Sequence, residues 1–212
     1  MGIVGKPPGS PRLTHTPHDG ILVADTMPFK EGLLMYTTTH RRIRRMILCA
    51  LFAALTAVCS QIAIPMPWGV PVNLALFAVY LAGALLGPVW GTASQLVYLV
   101  LAAVGVPVLA GLGGGPAVLF GRTGGYVIGY LLAALLTGVL APRGASARRL
   151  AGAMAAGCLG CYALGTVWFM AITGISLWQS LALCVLPFLP GDAAKIALAA
   201  ALGRKLAPRC GL

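Results

Sequence analysis

The chain has 212 residues, of which 59% are hydrophobic and 9% charged, where an ordinary soluble domain carries about 25% charge. A hydrated globular surface is thereby excluded, and lipid must solvate most of the exterior. The net charge of +11 does not point to nucleic acid, because the basic residues stand in short clusters between apolar runs, the pattern that sets membrane topology.

Residues 1–40 hold five prolines, all three histidines (His15, His18 and His40) and three of the four acidic residues. They contain no apolar run long enough for a signal sequence, so they read as a disordered extension, or as sequence upstream of the true start. His15 and His18 leave a metal-binding tail open, but no metal site is assigned. The membrane domain is expected over 41–212. Arg41, Arg42, Arg44 and Arg45 precede the first apolar run, Met46–Ile64. Its 19 residues reach roughly 28 Å as a helix, enough to cross the hydrocarbon core. Pro65 and Pro67 close it.

Val72–Leu86 forms a second run, ended by Gly87-Pro88, and Val89–Val104 a third. Both are shorter than the usual ~20 residues. Tyr126–Ala141 and Leu150–Ile172 follow, and a last helix is expected from Asp192 to Leu206. Leu177–Leu189 is apolar but interrupted by Pro187 and followed by Pro190, so it reads as a connection that dips back or caps the bundle. The expected fold is an all-α membrane protein with six transmembrane helices. With the amino end inside, ten basic residues from Arg41 onward fall on the inner side and only Arg122 and Lys195 on the outer side. Both termini are therefore expected in the cytoplasm and the chain in the cell (inner) membrane.

Three loops then face outward: Pro65–Pro71, Gly105–Gly125 and Gly174–Gly191. Each is rich in Gly or Pro and too apolar for a plain solvated loop. Irregular backbone at membrane depth is tolerated where it is buried or lines a cavity, so these loops suit the lid and walls of an outward pocket. Arg122, Asp192 and Lys195 are the charges at that end. Asp192 and Lys195 are three apart and share a helix face, either as a structural ion pair or as a ligand-binding pair. An ionised Asp only accepts hydrogen bonds, whereas Arg and Lys only donate. A small anion with N–H groups satisfies both. Trp68, Tyr98, Phe120, Tyr126 and Trp178 could supply an apolar wall. On the first helix, Ala50 and Ala54, with Ala53 and Ala57, place small residues at a four-residue spacing. That makes a flat face for close helix approach, within the bundle or against a partner.

Other chemistry finds little support. Cys158 and Cys161 form a C-x-x-C without a second ligand pair and read as structural. No His lies beyond position 40, one carboxylate lies in the membrane region, and G-x-S-x-G is absent, which argues against an enzyme. No G-x-x-x-x-G-K-[ST] occurs, so any ATP-derived energy must come from another chain. No cofactor is expected.

The stretches Gly105-Val-Pro-Val-Leu-Ala-Gly111, Gly121-Arg-Thr-Gly-Gly-Tyr-Val-Ile-Gly129 and Leu186-Pro-Phe-Leu-Pro-Gly-Asp-Ala-Ala-Lys195 together resemble the BioY family. These are the biotin-specific substrate-capture subunits of energy-coupling-factor transporters. The resemblance runs from Arg45 to Leu206. It implies biotin bound near the outer face, a membrane scaffold subunit and a pair of ATPases as partners. It also implies that Asp192 and Lys195 are ligand residues, that Arg122 and Tyr126 match the motif before the fourth helix, and that the Ala50/Ala54 face docks the scaffold. Family members often carry Thr-Leu-Gln where this chain has Asn73-Leu74-Ala75, so Asn73 would offer its own amide to the ligand. Many members have Pro at the position of Arg122. A subunit for another vitamin, or a biotin facilitator working alone, are the alternatives.

Overall fold

The computed structural model describes residues 28–67, 70–142 and 144–210. The chain divides into two units, Met1–Thr37 and Thr38–Leu212, and the second holds the helical bundle. The expected extension falls largely outside the described residues, although helix α1 (Pro28–Gln61) already begins within it.

A short antiparallel ribbon, β1 (Ala63–Ile64) with β2 (Val72–Asn73), follows α1, and Ala63 pairs with Asn73. The amide of Leu74 returns to the carbonyl of Ile62 at 3.1 Å, so the proline-rich loop is closed at its base. The Oδ1 of Asn73 accepts the amide of Ala75 at 3.2 Å, two residues on, and launches α2 (Ala75–Ala103).

Helix α2 is two helical limbs. Gly87 interrupts it at φ +81° and ψ −177°, a conformation open only to glycine, and Pro88 starts a new helix. The limbs 75–86 and 88–103 fold back on each other. A Cβ added to Gly91 would lie 2.9 Å from the Cα of Gly83, whereas residues eight apart in a straight helix stand about 12 Å apart. The break read from Gly87-Pro88 is therefore a hairpin.

The chain then passes through the 3-10 turn Ala110–Leu112 and the single turn α3 (Pro116–Leu119) into α4 (Gly124–Leu140) and α5 (Ala147–Thr173). Ser146 caps α5 by accepting the amide of Arg149. The α4–α5 crossing is close because small residues line it: a Cβ on Gly129 would meet Cys161 Sγ at 2.8 Å, and one on Gly157 would meet the carbonyl of Ala133 at 2.8 Å. Helix α6 (Leu177–Cys184) occupies the stretch read as a connection, and α7 (Leu189–Cys210) meets it at a 54° bend. Helix α7 starts three residues before Asp192, because Pro190 falls in the first turn, where no amide donor is needed.

Among the described residues, three helices are long and apolar enough to cross a membrane, and a fourth span arises if the bent α6–α7 pair counts as one. Exposed large apolar side chains cover the exterior, including Ile47, Leu51 and Val58 on α1. The core holds Tyr80, Tyr98, Met154 and Gln95 with almost no exposure.

Candidate functional site

A cavity of about 480 Å³ opens where α1 ends and α7 begins. It lies within the ~300–1,000 Å³ range of small-molecule sites. Its wall draws Ser60 and Gln61 from α1, Asn73 and Leu76 from the entry to α2, and Tyr98 from the far limb of α2. Tyr126 and Tyr130 from α4, Tyr162 from α5 and Asp192 and Lys195 from α7 complete it. Residues 105–112 contribute Leu109, Ala110 and Gly111. The basic residue Arg204 lies at the other end of α7, around a second cavity with Ser146, Gly144 and Ala84.

The charged part of the wall is one ion pair. Lys195 Nζ donates to Asp192 Oδ1 at 2.6 Å, and both residues are buried, with 9% and 2% of their surface exposed. The three-residue spacing on α7 puts them on one face. Tyr162 donates its hydroxyl to Asp192 Oδ2, and Cys158 Sγ stands 3.8 Å from the same oxygen. Tyr162 and Cys158 are four apart on α5 and therefore face α7 together. The carboxylate is thus neutralised from its own helix and oriented from the neighbouring one. With Tyr162 and Cys158 both on Oδ2, the lone pair left for a ligand is on Oδ1, and the ammonium retains two N–H donors.

Asn73 and the tyrosines form the rest of the polar surface. Asn73 Oδ1 takes both the Ala75 amide and, at 3.5 Å, the Tyr130 hydroxyl. Two donors on one atom identify it as the carbonyl oxygen, which leaves the amide NH₂ for the cavity. Tyr98 donates to Ser60 Oγ at 3.1 Å and stands 3.2 Å from the Val108 carbonyl. Its ring centroid is 6.3 Å from that of Tyr130. Tyr126 shares a hydrogen bond with Thr166.

The sequence-derived residues thus separate. Asn73, Tyr126, Asp192 and Lys195 line the cavity together. Arg122 is exposed and does not line it. Of the aromatics, Tyr98 lines the cavity, Phe120 stacks on Trp168 outside it, Trp178 is 79% exposed, and Trp68 lies outside the described residues. Cys158 and Cys161 are free thiols. On α1, Ala50 and Ala54 are exposed, Ala57 is half-buried and Ala53 is buried in the core. Tyr162, Tyr130 and Gln61 also join the cavity, although the sequence does not mark them out. Polar side chains on apolar helices need partners, and Tyr130 sits one turn after Tyr126. Those signals do not say which face each side chain takes.

Helices with an apolar exterior and a small-molecule-sized cavity holding a buried ion pair define a multi-pass membrane protein built around a solute-sized site. A profile of the BioY family matches residues 32–211. A "Biotin transporter BioY" of Rhodobacter capsulatus is 39% identical over 181 residues, covering 77% of this chain and 93% of that one. A "Probable biotin transporter BioY" of Pyrococcus horikoshii is 39% identical, covering 78% and 97%. Another, of Methanothermobacter thermautotrophicus, is 42% identical over 139 residues, covering 61% and 88%. Among solved structures, the S-component for biotin from an ECF-type ABC transporter matches with a TM-score of 0.71 at 29% identity, covering 79% of this chain and 92% of that one. The chain belongs to the BioY family.

Proposed function

We propose that this chain captures biotin at the outer face of the cell (inner) membrane and serves as the substrate-binding subunit of an energy-coupling-factor transporter. The observation that carries this reading is the Asp192–Lys195 pair, buried in the wall of an otherwise largely uncharged cavity, in a chain whose relatives bear the name of biotin transporters.

Biotin has a ureido ring with N–H donors and a carbonyl acceptor, an apolar thioether ring, and a chain ending in a carboxylate. Asp192 accepts a ureido N–H, and Lys195 donates to the ureido carbonyl or to the carboxylate. The free NH₂ of Asn73 supplies a further donor, and Tyr98, Tyr126 and Tyr130 bound the apolar ring. Arg122, being exposed, serves the approach of the carboxylate rather than the deep site.

The placement follows from charge. The cavity gathers at the end of the helices opposite Arg148, Arg149, Arg204 and Lys205, so the basic clusters lie in the cytoplasm and the cavity faces out. Counting the limbs of α2 separately, and α6 with α7 as one span, gives six passes with both termini inside. The exposed Ala50 and Ala54, set among Ile47, Leu51 and Val58, form the face that docks the scaffold subunit, to which two ATPases attach.

Equilibrium binding of labelled biotin to the purified chain tests the reading. Biotin should bind at one site and be displaced by unlabelled biotin, but not by thiamine or riboflavin. Failure to bind refutes capture, and displacement by another vitamin reassigns the ligand. Net uptake of biotin into liposomes carrying this chain alone would show a facilitator that needs no ATPase.

A further inference from the structure

Gln61 is the last residue of α1, and both ends of its side-chain amide are engaged by the loop 105–115. Its Nε2 donates to the carbonyl of Leu109 at 3.0 Å, and its Oε1 accepts the amide of Leu112 at 3.0 Å. A primary amide carries a donor and an acceptor side by side, so it pairs with this segment as a neighbouring strand would.

The segment needs such a partner. Gly105, Gly111 and Gly115 hold positive φ, and so does Leu112 at +57°, the one described residue other than glycine to do so. Leu112 is 70% exposed, so packing does not hold it in that disfavoured region. Leu109 and Gly113 form an isolated bridge across the turn, and Gly115 donates to the carbonyl of Ala102 at the base. The bonds of Gln61 tie the tip to α1. That tip matters to the cavity, because Leu109, Ala110 and Gly111 are part of its wall.

We propose that Gln61 is a positioning residue that latches the loop 105–115 against the cavity and so sets how long a bound ligand stays. The ligand arm of the test rests on the biotin reading. Gln61→Met keeps the length of the side chain and removes both hydrogen bonds. Gln61→Glu keeps the shape, loses the donor and turns a carboxylate toward the Leu109 carbonyl, and it replaces Gln61→Met should that variant not fold. Either should speed biotin dissociation about tenfold or more, while association changes far less.

A second readout needs no ligand. Cys161 and Cys184 are buried thiols that line the cavity, and Cys49 is a buried thiol outside it. With N-ethylmaleimide and site-resolved mass spectrometry, alkylation of Cys161 and Cys184 should accelerate about tenfold in the variant, and that of Cys49 should not. Parental rates at Cys161 and Cys184, or equal acceleration at Cys49, would overturn the latch. If the parent binds no biotin, the functional reading fails, and the alkylation comparison still decides the latch.

Discussion

Breaking the Asp192–Lys195 pair one member at a time, and then both together, separates ligand recognition from structural support. Asp192 keeps 2% and Lys195 9% of its surface exposed. Lys195→Met leaves the carboxylate with only Tyr162 and Cys158 as donors. Stranding one charge of a buried pair costs about 3–5 kcal/mol, and Asp192→Asn strands the ammonium in the same way. The double variant Asp192→Asn/Lys195→Met strands neither charge, so its stability should return to within about 1–2 kcal/mol of the parent. Binding should behave differently. A hydrogen bond to a charged group contributes about 1.5–3 kcal/mol, so each single variant should lose roughly tenfold to a hundredfold in biotin affinity. The double variant should not recover it. Unfolding in detergent, followed by tryptophan fluorescence, reads the first quantity, and equilibrium binding of labelled biotin reads the second. A double variant that binds like the parent would make the pair a structural anchor and refute the pocket assignment. A double variant as unstable as the singles would refute the stranded-charge argument.

Four further outcomes are expected. A cysteine at Ser146, the N-cap of α5, should be inaccessible to a membrane-impermeant maleimide added to intact cells, and labelling from outside would reverse the topology. Ala54→Trp should block assembly with the scaffold while biotin binding persists, because Ala54 is exposed. Ala53→Trp, at a position only 2% exposed, should instead destabilise the chain by roughly 1–3 kcal/mol or more through overpacking. Loss of binding in Ala54→Trp, read by the same assay, would mean that this face packs internally. Gly87→Ala should lower stability by about 1–3 kcal/mol from backbone strain alone, since an added Cβ meets nothing within 4 Å. An unchanged unfolding temperature would show that the hairpin does not depend on that conformation.

Composition and charge order carried much of this protein. A chain with one charge between Met46 and Ala141 has no choice but to fold against lipid, and Gly87-Pro88 marks the break between two apolar runs, because both residues disfavour a helix interior, whereas the packing of the two limbs on each other made that break a hairpin. Asp192 and Lys195 were legible as a pair because helical spacing alone puts them on one face. Spacing within one segment could not say what a side chain meets on another. Arg122 and Lys195 look alike in the sequence as outer-side charges, yet one is exposed and the other is buried against Asp192. Tyr162, Tyr130 and Gln61 acquired their roles from helices and loops thirty or more residues away in the sequence, at Asp192, Asn73 and Leu109. Ala53 and Ala54 are adjacent and chemically identical, and only the packing of α1 turned one into the core and left the other on the surface. A helix's periodicity fixes which residues share a face, whereas the direction that face takes is set by the other helices that bury it.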